Sequence, residues 1–441
     1  MKTTIKFLGI LTLVLITAFA MITCSEDEPK PEQAKTDAAR PLITADPLNA
    51  AYLPGATVTP LSVTASASDG GTLSYQWYSE TTMYSNPTAV TGATSSTFTP
   101  PATTAGTLYY YAEVTNTNNG VNGNKTAVQT SYRAKFVVGW EKVDNLSVNF
   151  TARSIIFANN RFVAVGGYIS AGGQIGWSDD GINWTILDKT STTFGNSVIN
   201  GIAYGNSKFI AVGEDGKMAS SADGKTWTSV DASAVFGTNE IYDITFGNNQ
   251  FYAVGKELLG DAKCGLSKDN GATWTSTDNT FKSIFGSYIS GIVYDSVNGF
   301  TAFSTTNGKS ASFIEPYNWG GYGTIQNSDG TAKITTLKDL ISAGNYIVAV
   351  GNDGNVLKYT GSGLSWTDIK PSSVLGTNTI SKAAYGANKL LVFSSDKGAW
   401  SGDNGTTWTE VPYVKMNRMA YGAGRFVAAA GADGISYSKY P

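Results

Sequence analysis

The chemistry open to this chain is limited first by the residue types that its 441 residues lack. It has no histidine, which removes the usual general base of hydrolases and the commonest metal ligand. Two cysteines, Cys24 and Cys264, cannot form a disulfide framework or a four-ligand zinc site. Ser-His-Asp and Cys-His catalysis are therefore excluded, and we expect no metal and no cofactor.

Carboxylates remain available for glycoside hydrolysis, which needs two carboxyl groups about 5 to 9.5 Å apart. Asp243, Asp339, Glu240 and Glu315 are the candidates, because they lie near the starts of the repeated strand pairs described below. In a chain with 34 acidic residues, a solvated position is the default for each of them. Cys264 lies in an apolar strand pattern, which favours a small core residue over a nucleophile.

Composition and charge indicate an all-β protein that does not bind nucleic acid. Charged residues make up 15% of the chain, while there are 49 glycines, 23 tyrosines and 10 tryptophans. This profile is typical of strands joined by glycine turns around an aromatic core. With 31 basic and 34 acidic residues the formal charge is −3, so no basic field exists to attract phosphates.

The elements that position these residues are repeated. Seven tryptophans recur at intervals of 42 to 47 residues, the period of a four-stranded propeller blade, and they are Trp140, Trp184, Trp227, Trp274, Trp319, Trp366 and Trp408. A hairpin with alternating apolar residues and a polar turn lies about 20 residues before each blade's tryptophan. The hairpins begin at Ile155, Ile202, Ile244, Ile292, Leu340, Ala383 and Met419. We interpret Arg161 and Arg425, at equivalent hairpin turns, as solvated residues.

A second motif, Ser-x-Asp-x-Gly-x-Thr-Trp or a version one residue shorter, precedes four of the tryptophans. Its residues are Ser178, Asp180, Gly181 and Trp184; Ser221, Asp223, Gly224 and Trp227; Ser267, Asp269, Gly271 and Trp274; and Ser401, Asp403, Gly405 and Trp408. Side-chain oxygens that bind backbone groups across a turn explain the motif. A calcium site does not, because each turn offers one carboxylate where calcium needs six or more oxygens. Ser362 and the 314–316 segment degrade two further copies.

These turns resemble the Asp box, or BNR repeat, of sialidases and related β-propellers, and the repeat array resembles the sialidase-like and photosystem II assembly-factor propellers. The resemblance implies a propeller from residue 138 to residue 441. Sialidase activity would need three convergent arginines, a tyrosine nucleophile with a glutamate partner, and an acid/base aspartate. The array has four arginines, Arg153, Arg161, Arg418 and Arg425, but no recognisable arginine triad. The missing arginine triad therefore favours a binding scaffold over a sialidase.

The ends of the array indicate how it closes. The last copy supplies three strands and stops where its fourth strand would begin. Residues 138–143, before the first copy, match the fourth-strand pattern of residues 226–230. We therefore expect an N-terminal strand to complete the C-terminal blade of a seven-bladed ring, so that no sheet edge remains open.

The N-terminus has the pattern of a targeting sequence. Lys2 and Lys6 precede an uncharged run from residue 7 to residue 23, a pattern typical of a secretory signal peptide. Cys24 follows this run in a context that resembles the lipobox of bacterial lipoproteins, which implies acylation and insertion into the lipid bilayer. The alternative is cleavage after the Ala-x-Ala site at Ala18 to Ala20, which leaves a soluble protein. We expect a signal peptide at 1–23, a lipidated tether at 24–40 and an extracytoplasmic protein at the outer membrane, cell surface or periplasmic face.

Residues 41–137 show short alternating strands separated by polar turn clusters, which predict a β-sandwich. Residues 73–78, with Trp77 facing inward, and residues 106–116, with three consecutive tyrosines, resemble bacterial Ig-like domains that lack the inter-sheet disulfide. Either adhesion or the role of a spacer would suit such a domain.

The connections between the predicted blades are the candidate ligand surface. Tyr168, Tyr242, Phe281 and Tyr288 could present aromatic groups to a sugar or a protein segment. Four connections share a Phe-Gly or Leu-Gly motif, at Phe194, Phe236, Phe285 and Leu375, which could belong to that surface or pack between blades. We expect a non-catalytic module that binds a protein or a glycan. A glycoside hydrolase and an envelope assembly factor are the alternatives.

Overall fold

The computed structural model describes residues 35–144, 146, 149–168, 170–256, 261–277, 285, 289–297, 299–305, 309–313, 320–326, 333–360 and 366–439. The residues of the sequence predictions that lie outside these ranges are those of the signal peptide and tether up to residue 34, with Cys24, and Phe281, Tyr288, the 314–316 segment with Glu315, Trp319 and Ser362. The described chain is mostly β-strand, with one-turn helices α1 (Ser233–Phe236) and α2 (Ser372–Leu375) and a 3-10 turn at Glu214–Gly216. None of its helices combines the length and the apolar character that crossing a bilayer requires.

The N-terminal strands pack in layers around an aromatic core. They are β1 (Leu42–Ala45), β2 (Ala50–Tyr52), β3 (Leu61–Ser62), β4 (Thr64–Ser66), β5 (Thr72–Glu80), β6 (Thr88–Ala89), β7 (Thr97–Phe98), β8 (Gly106–Thr117), β9 (Thr126–Thr130) and β10 (Ala134–Val138). The main sheet has the order β2-β10-β8-β5-β6, while β1 pairs with β4 and β3 with β7. Trp77 is fully buried against Phe98 and donates its indole N–H to Ser95 O at 2.9 Å.

The repeat array forms antiparallel sheets that follow one another along the described chain. Sheet one contains β12 (Ala152–Ala158), β13 (Arg161–Tyr168), β14 (Gly172–Ser178) and β15 (Thr185–Leu187). Sheet two contains β16 (Ile199–Gly205), β17 (Lys208–Gly213), β18 (Met218–Ser221) and β19 (Thr228–Val230). Sheet three contains β20 (Ile241–Gly247), β21 (Gln250–Lys256), β22 (Ala262–Ser267) and β23 (Thr275–Ser276).

The later sheets follow the same plan. Sheet four contains β24 (Gly291–Asp295), β25 (Gly299–Phe303), β26 (Lys309–Phe313), β27 (Gly320–Gln326) and β28 (Lys333–Ile334). Sheet five contains β29 (Leu337–Ser342), β30 (Ile347–Gly351), β31 (Val356–Tyr359) and β32 (Thr367–Asp368). Sheet six contains β33 (Lys382–Gly386), β34 (Lys389–Phe393), β35 (Lys397–Ser401) and β36 (Thr409–Pro412). Sheet seven begins with β37 (Arg418–Gly422), β38 (Arg425–Ala429) and β39 (Ile435–Lys439).

Local sequence explains the hairpin between the first two strands of these sheets. In sheet one, Asn159 and Asn160 both adopt positive φ, 51° and 55°. Two successive residues with positive φ form the turn whose twist matches that of paired strands, and asparagine tolerates this conformation well. The predicted hairpins are confirmed in the described chain.

Sheet seven is completed from upstream, as the sequence pattern predicts. The strand β11 (Glu141–Lys142) pairs with β39, with Glu141 opposite Tyr437. Val143 N donates to Ile435 O at 2.8 Å just beyond this pairing. The first strands of successive sheets contact one another, and β37 of sheet seven contacts β12 of sheet one. The last sheet therefore lies beside the first.

The N-terminal strands join the repeat array through backbone pairing and a shared core. Tyr52 of β2 lies opposite Lys439 of β39, and Tyr52 O accepts a hydrogen bond from Gly139 N at 2.7 Å. Leu53, fully buried, packs in one cluster with Phe393 and Phe426 of sheets six and seven. The first ten strands thus contact the array directly.

The Leu53 contact gives a stability prediction. Leu53→Ala leaves a cavity in the shared core, so we expect the free energy of unfolding to fall by about 2 to 5 kcal/mol. Urea unfolding followed by tryptophan fluorescence measures this. The control Leu48→Ala removes the same side chain from a position that is 81% exposed, and its expected change stays within about 0.5 kcal/mol. Equal effects of the two substitutions would show that Leu53 does not join the two parts.

Candidate functional site

The aspartate of each motif turn accepts hydrogen bonds from residues of that same turn. In sheet one, Ser178 Oγ donates to Asp180 Oδ1 at 2.9 Å and accepts from Gly181 N at 2.8 Å. Asp180 Oδ1 also accepts from Ile182 N at 2.9 Å and Asn183 N at 2.8 Å. Burial acts to raise the pKa of Asp180, but these backbone N–H groups outweigh it and lower the pKa to about 2.

The other motif turns repeat this geometry. Their aspartates each accept a serine hydroxyl and backbone N–H groups, at Asp223, Asp269 and Asp403. The pKa of Asp269 and that of Asp403 are lowered to about 2, chiefly by the side-chain hydroxyls of Thr273 and Thr407. The motif tryptophans pack between neighbouring sheets, as Trp227 does with core residues of sheets one and two. These aspartates therefore bind groups of their own turns.

The interpretation of Arg161 and Arg425 as solvated turn residues is wrong. The Arg161 side chain is only 16% exposed and its Nε lies 2.7 Å from Asp179 Oδ1. Its stem lies against the next motif turn, because a Cβ on Gly224 would come within 3.5 Å of Arg161 Cδ. Arg425 lies in the same way on Gly181, and burial lowers its pKa. These long side chains cover the glycine of a neighbouring turn, which sequence periodicity alone does not reveal.

Two of the candidate carboxylates do converge, on an arginine from a third sheet. Arg418 Nη2 lies 3.1 Å from Asp243 Oδ2, and Arg418 Nη1 lies 3.4 Å from Asp339 Oδ1. They lie at equivalent positions, each directly before the first apolar residue of its hairpin. Asp243 and Arg418 line a cavity of about 330 Å³ between the first strands. The two ion pairs of Arg418 thus link sheets three, five and seven.

Each carboxylate also joins its own sheet to the next one. Asp243 accepts hydrogen bonds from Ile244 N at 3.0 Å and Ile292 N at 3.2 Å. Asp339 accepts in the same way from Leu340 N at 3.1 Å and Ala383 N at 3.3 Å. Gly291 leaves room for this arrangement, because a Cβ there would lie 2.9 Å from Asp243 Oδ2.

These contacts determine the chemistry of the carboxylates. Burial raises the pKa of Asp243, and the Arg418 guanidinium opposes that rise. Burial also acts to lower the pKa of Arg418, but the two carboxylates raise it above the ordinary value. A glycosidase needs one carboxyl group that gives up its proton and another that attacks or activates water. Here each carboxylate binds the guanidinium and two backbone N–H groups.

Several polar side chains lie at the end of the sheets where the first strand of each sheet begins. We call this the entrance end. There the ladders of sheets one, two, three and five carry a register shift, which leaves one extra residue in the first strand: Arg153, Asn200, Tyr242 and Lys338. A β-bulge re-aims a side chain away from the regular ladder. The sequence carries no signal for these bulges.

The bulge residues of sheets one to three contribute to a continuous polar surface. Arg153 Nη1 donates to Asn200 Oδ1 at 2.6 Å, and Asn200 Nδ2 donates to Glu240 Oε1 at 3.1 Å. Lys256 Nζ lies 5.8 Å from the centre of the Tyr242 ring. With Tyr168, which is 39% exposed at the end of β13, these residues form what we name the entrance arc: Arg153, Tyr168, Asn200, Glu240, Tyr242 and Lys256.

The apolar residues of the Phe-Gly connections do not belong to that surface. Phe194 and Phe236 are fully buried, while Phe285 and Leu375 are 2% and 3% exposed. Each packs in the core of the sheets that its connection joins. Cys264 is likewise fully buried, as expected of a core residue. Of the four aromatic candidates for ligand contact, the structure places Tyr168 and Tyr242 at the entrance end, and Phe281 and Tyr288 lie outside the described residues.

Comparison with known proteins identifies the fold of the array. No protein-family model matches the chain, and no curated protein matches it. The structure of YCF48 bound to D1 peptide matches with a TM-score of 0.51 and 16% identity, covering 68% of this chain and 95% of that one. YCF48 from Cyanidioschyzon merolae gives 0.51 and 18%, covering 69% and 99%. The RRP9 WD40 repeats give 0.51 and 9%, covering 69% and 98%. The chain therefore contains a β-propeller.

The arginine in the cavity gives a pH-dependent prediction. Arg418→Ala leaves two buried carboxylates without their cation, which costs about 3 to 5 kcal/mol near neutral pH. Burial already raises the pKa of Asp243 above 3.8 in the folded chain, and without Arg418 it rises further. The folded variant then binds protons more readily than the unfolded chain does. The stability of the variant therefore falls as pH rises from the unfolded pKa of Asp243 toward its raised pKa in the folded variant.

Urea unfolding of wild type and Arg418→Ala between about pH 4 and 8 measures this effect. We expect a small loss at the acidic end and the full loss near neutrality. Arg153→Ala is the matched control, since its described side-chain partner is the neutral Asn200, and it should show no such trend. A loss for Arg418→Ala that is constant across this range would contradict the assignment.

A second prediction concerns the motif turns. Asp180→Asn removes an anionic acceptor whose pKa is held at about 2. A carboxyl with a lowered pKa stabilises the fold above its unfolded value of about 4, and this contribution is lost as pH falls toward 2. The thermal midpoint of the variant should therefore lie below that of wild type at pH 6 and meet it near pH 2. Asp179→Asn, at an adjacent position that is 59% exposed, serves as control. Parallel curves for Asp180→Asn and wild type would refute this role.

Proposed function

We propose that this chain is a non-catalytic binding protein of the bacterial cell envelope. Its parts are a signal peptide at 1–23, an acylated Cys24 with a tether to residue 40, an Ig-like domain at 41–137 and a seven-bladed Asp-box propeller at 138–441. The lipid bilayer holds the protein through Cys24. The apolar run that ends at Cys24 and the acidic, proline-containing residues after it support this anchor.

The equivalence of the successive sheets supports a ring of seven blades. Sheets one to six each supply at least four strands, and sheet seven supplies three strands and takes β11 as its fourth. The motif turns in sheets one, two, three and six share the serine-to-aspartate hydrogen bond. A repeated turn with one internal geometry is typical of the Asp-box class.

The contacts of Asp243 and Asp339 are the observation that carries the non-catalytic assignment. Both carboxylates bind the same guanidinium and backbone N–H groups of two sheets. Glu240, the third described candidate for a catalytic carboxylate, accepts a hydrogen bond from Asn200 in the entrance arc. A glycoside hydrolase remains the alternative, and turnover of a fluorogenic glycoside that depends on Glu240 would favour it.

The entrance arc is the surface that we assign to the ligand. It combines cations at Arg153 and Lys256, a carboxylate at Glu240 and the phenol rings of Tyr168 and Tyr242. Donors, acceptors and rings of this kind suit a peptide segment, whose backbone and side chains offer both charges and apolar groups. YCF48, a propeller of similar fold, has been solved with a peptide, which favours a protein ligand over a glycan. An assembly factor would use the same surface to hold its client.

Binding to arrays tests this assignment. Fluorescent wild-type protein lacking the signal peptide, with Cys24→Ser, is applied to an array of 15-residue peptides from envelope proteins and to a glycan array. We expect a discrete set of peptides to bind, with affinity reduced at least about tenfold in the double variant Arg153→Ala, Tyr242→Ala, because interface hot spots lose about 2 kcal/mol or more on truncation.

Lys208→Ala is the matched control, because Lys208 starts β17 at the opposite end of the strands. It should bind the same peptides as wild type. Unchanged affinity of the double variant would remove the entrance arc from the binding surface. Signals on the glycan array alone would replace the protein ligand by a carbohydrate.

A further inference from the structure

The N-terminal domain contains a cleft beside β9. The segment that includes β1 runs alongside β9 and is joined to the chain just beyond both ends of that strand. Ala38 N donates to Asn124 O and Tyr132 N donates to Asp46 Oδ1, each at 2.8 Å. Between these two points the segments separate and leave a cavity of about 620 Å³. This volume is within the range of sites that bind small molecules.

Three large apolar side chains of this cleft are exposed. The exposed fraction is 63% for Leu42, 68% for Tyr84 and 74% for Tyr132. Folded proteins rarely expose several such side chains together unless the surface binds something. Tyrosine in particular is enriched in binding surfaces, because its ring is apolar while its hydroxyl stays in water.

The Tyr84 ring is exposed but held in position. Tyr84 N donates to Glu80 Oε2 at 2.7 Å, and the Glu80 side chain is fully buried. Glu80 Oε1 in turn lies 3.2 Å from Arg133 Nη2. The Arg133 guanidinium lies 4.3 Å from the centre of the Tyr84 ring and 4.2 Å from the centre of the Tyr111 ring. A buried ion pair therefore positions an aromatic ring that faces solvent.

The backbone of Tyr132 is also held on both sides. Its N–H binds Asp46, and its carbonyl oxygen accepts from Ser131 Oγ at 2.9 Å. Ser131 Oγ accepts from Ala112 N at 2.9 Å, which ties this part of the cleft to β8. Residues that are already positioned lose less conformational freedom when a ligand binds, and this favours affinity.

The polar groups of the cleft suit an uncharged ligand that carries both donors and acceptors. The positive charges of Arg40 and Arg133 are balanced by the negative charges of Asp46 and the buried Glu80. In the part of the chain that the structure describes, neither Asp46 Oδ2 nor the Arg40 guanidinium has a hydrogen-bond partner. A carboxylate only accepts and a guanidinium only donates, so a ligand that satisfies both groups needs donors as well as acceptors.

We propose that this cleft binds a neutral oligosaccharide. The ring of a sugar has apolar C–H faces that pack on aromatic rings, and its hydroxyl groups both donate and accept hydrogen bonds. Tyr84 and Tyr132 contact the faces of the sugar, while Asp46 accepts from one hydroxyl and Arg40 donates to another. The site is separate from the entrance arc, so it adds a glycan ligand to the peptide ligand proposed for the propeller.

A proline-rich peptide is the alternative ligand that also packs on exposed aromatic rings. It matches the polar groups less well, because proline has no backbone N–H to donate to Asp46. A strand from another protein does not fit either, because the segment that includes β1 bounds the outer side of β9.

Calorimetric titration of the chain without its signal peptide, with Cys24→Ser, tests the proposal. The probes are maltohexaose, cellohexaose, laminarihexaose, mannohexaose, xylohexaose and chitohexaose, each at up to about 10 mM, which fills a site with a dissociation constant of about 1 mM. We expect at least one probe to bind. The double variant Tyr84→Ala, Tyr132→Ala should bind it at least about tenfold more weakly, because tyrosines that anchor a ligand are typical hot spots. Failure of every probe to bind would overturn the proposal.

Tyr413→Ala is the matched control, since Tyr413 is 41% exposed after β36 of sheet six. It should bind the probe like wild type. The thermal midpoint of the double variant should stay close to that of wild type, because both removed rings are exposed. Unchanged affinity of the double variant would assign the sugar to another surface and equally overturn the proposal.

Asp46→Asn separates a glycan from a proline-rich peptide. The amide oxygen can still accept from Tyr132 N, but the amide nitrogen donates where the carboxylate oxygen accepted. We expect the affinity for the oligosaccharide to fall at least about threefold, as the loss of one hydrogen bond predicts. Unchanged affinity would contradict the proposed contact. Decaproline is titrated in parallel, and its binding without binding of any hexasaccharide would replace the glycan by a peptide and overturn the proposal.

Discussion

The pairing of β11 with β39 is the constraint on which the rest of the structure depends. Sheet seven has three strands from the C-terminal end of the chain and takes its fourth from a segment before sheet one. The strand is held by ladder bonds, by Val143 N on Ile435 O and by Trp140, whose indole N–H donates to Pro412 O at 3.1 Å. Because both ends of the array meet in one sheet, β39 is not left as an open edge and the two ends cannot separate independently.

The same closure brings two carboxylates from different sheets to one guanidinium. Asp243, Asp339 and Arg418 come from alternate sheets and meet because each lies at the same position of its first strand. Removing carboxylates from water is costly, so Asp243 and Asp339 stay buried because Arg418 and backbone N–H groups bind them. In this propeller the interior charges hold the sheets together. The proposed ligand surface is the entrance arc, where β-bulges lie at Arg153, Asn200 and Tyr242.

Much of the propeller could be predicted from sequence because its signals are local. The tryptophan interval, the hairpin turns and the fourth-strand pattern at residue 140 each depend on residues close together in the chain. The convergence on Arg418 could not be predicted, since its partners lie 79 and 175 residues away. The packing of Leu53 against Phe393 and Phe426 cannot be predicted either, because these residues are also far apart in the sequence. The solvated position that the sequence predicts for Arg161 and Arg425 is wrong, because periodicity identifies a turn but does not show what packs against it.

The candidate site was predicted only in part. The sequence predicts Tyr168 and Tyr242 as aromatic residues of the ligand surface, and both lie at the entrance end. Arg153 and Asn200 cannot be predicted, because their positions depend on bulges that leave no mark in composition or period. The Phe-Gly residues satisfied the same sequence criteria as the tyrosines but are buried. Exposure in such loops is decided by packing between sheets, which a single sequence does not contain.

Ring closure can be measured most directly with a paired-cysteine chain. In the Cys24→Ser background, Lys142→Cys and Ser436→Cys lie directly opposite each other in the closing ladder. The account predicts that mild oxidation of the folded protein joins them and raises the thermal midpoint, because a long loop of the unfolded chain becomes closed. A control pair, Lys142→Cys with Lys225→Cys in sheet two, should stay reduced. Thiols at 142 and 436 that remain reduced in the folded protein would contradict the closed ring.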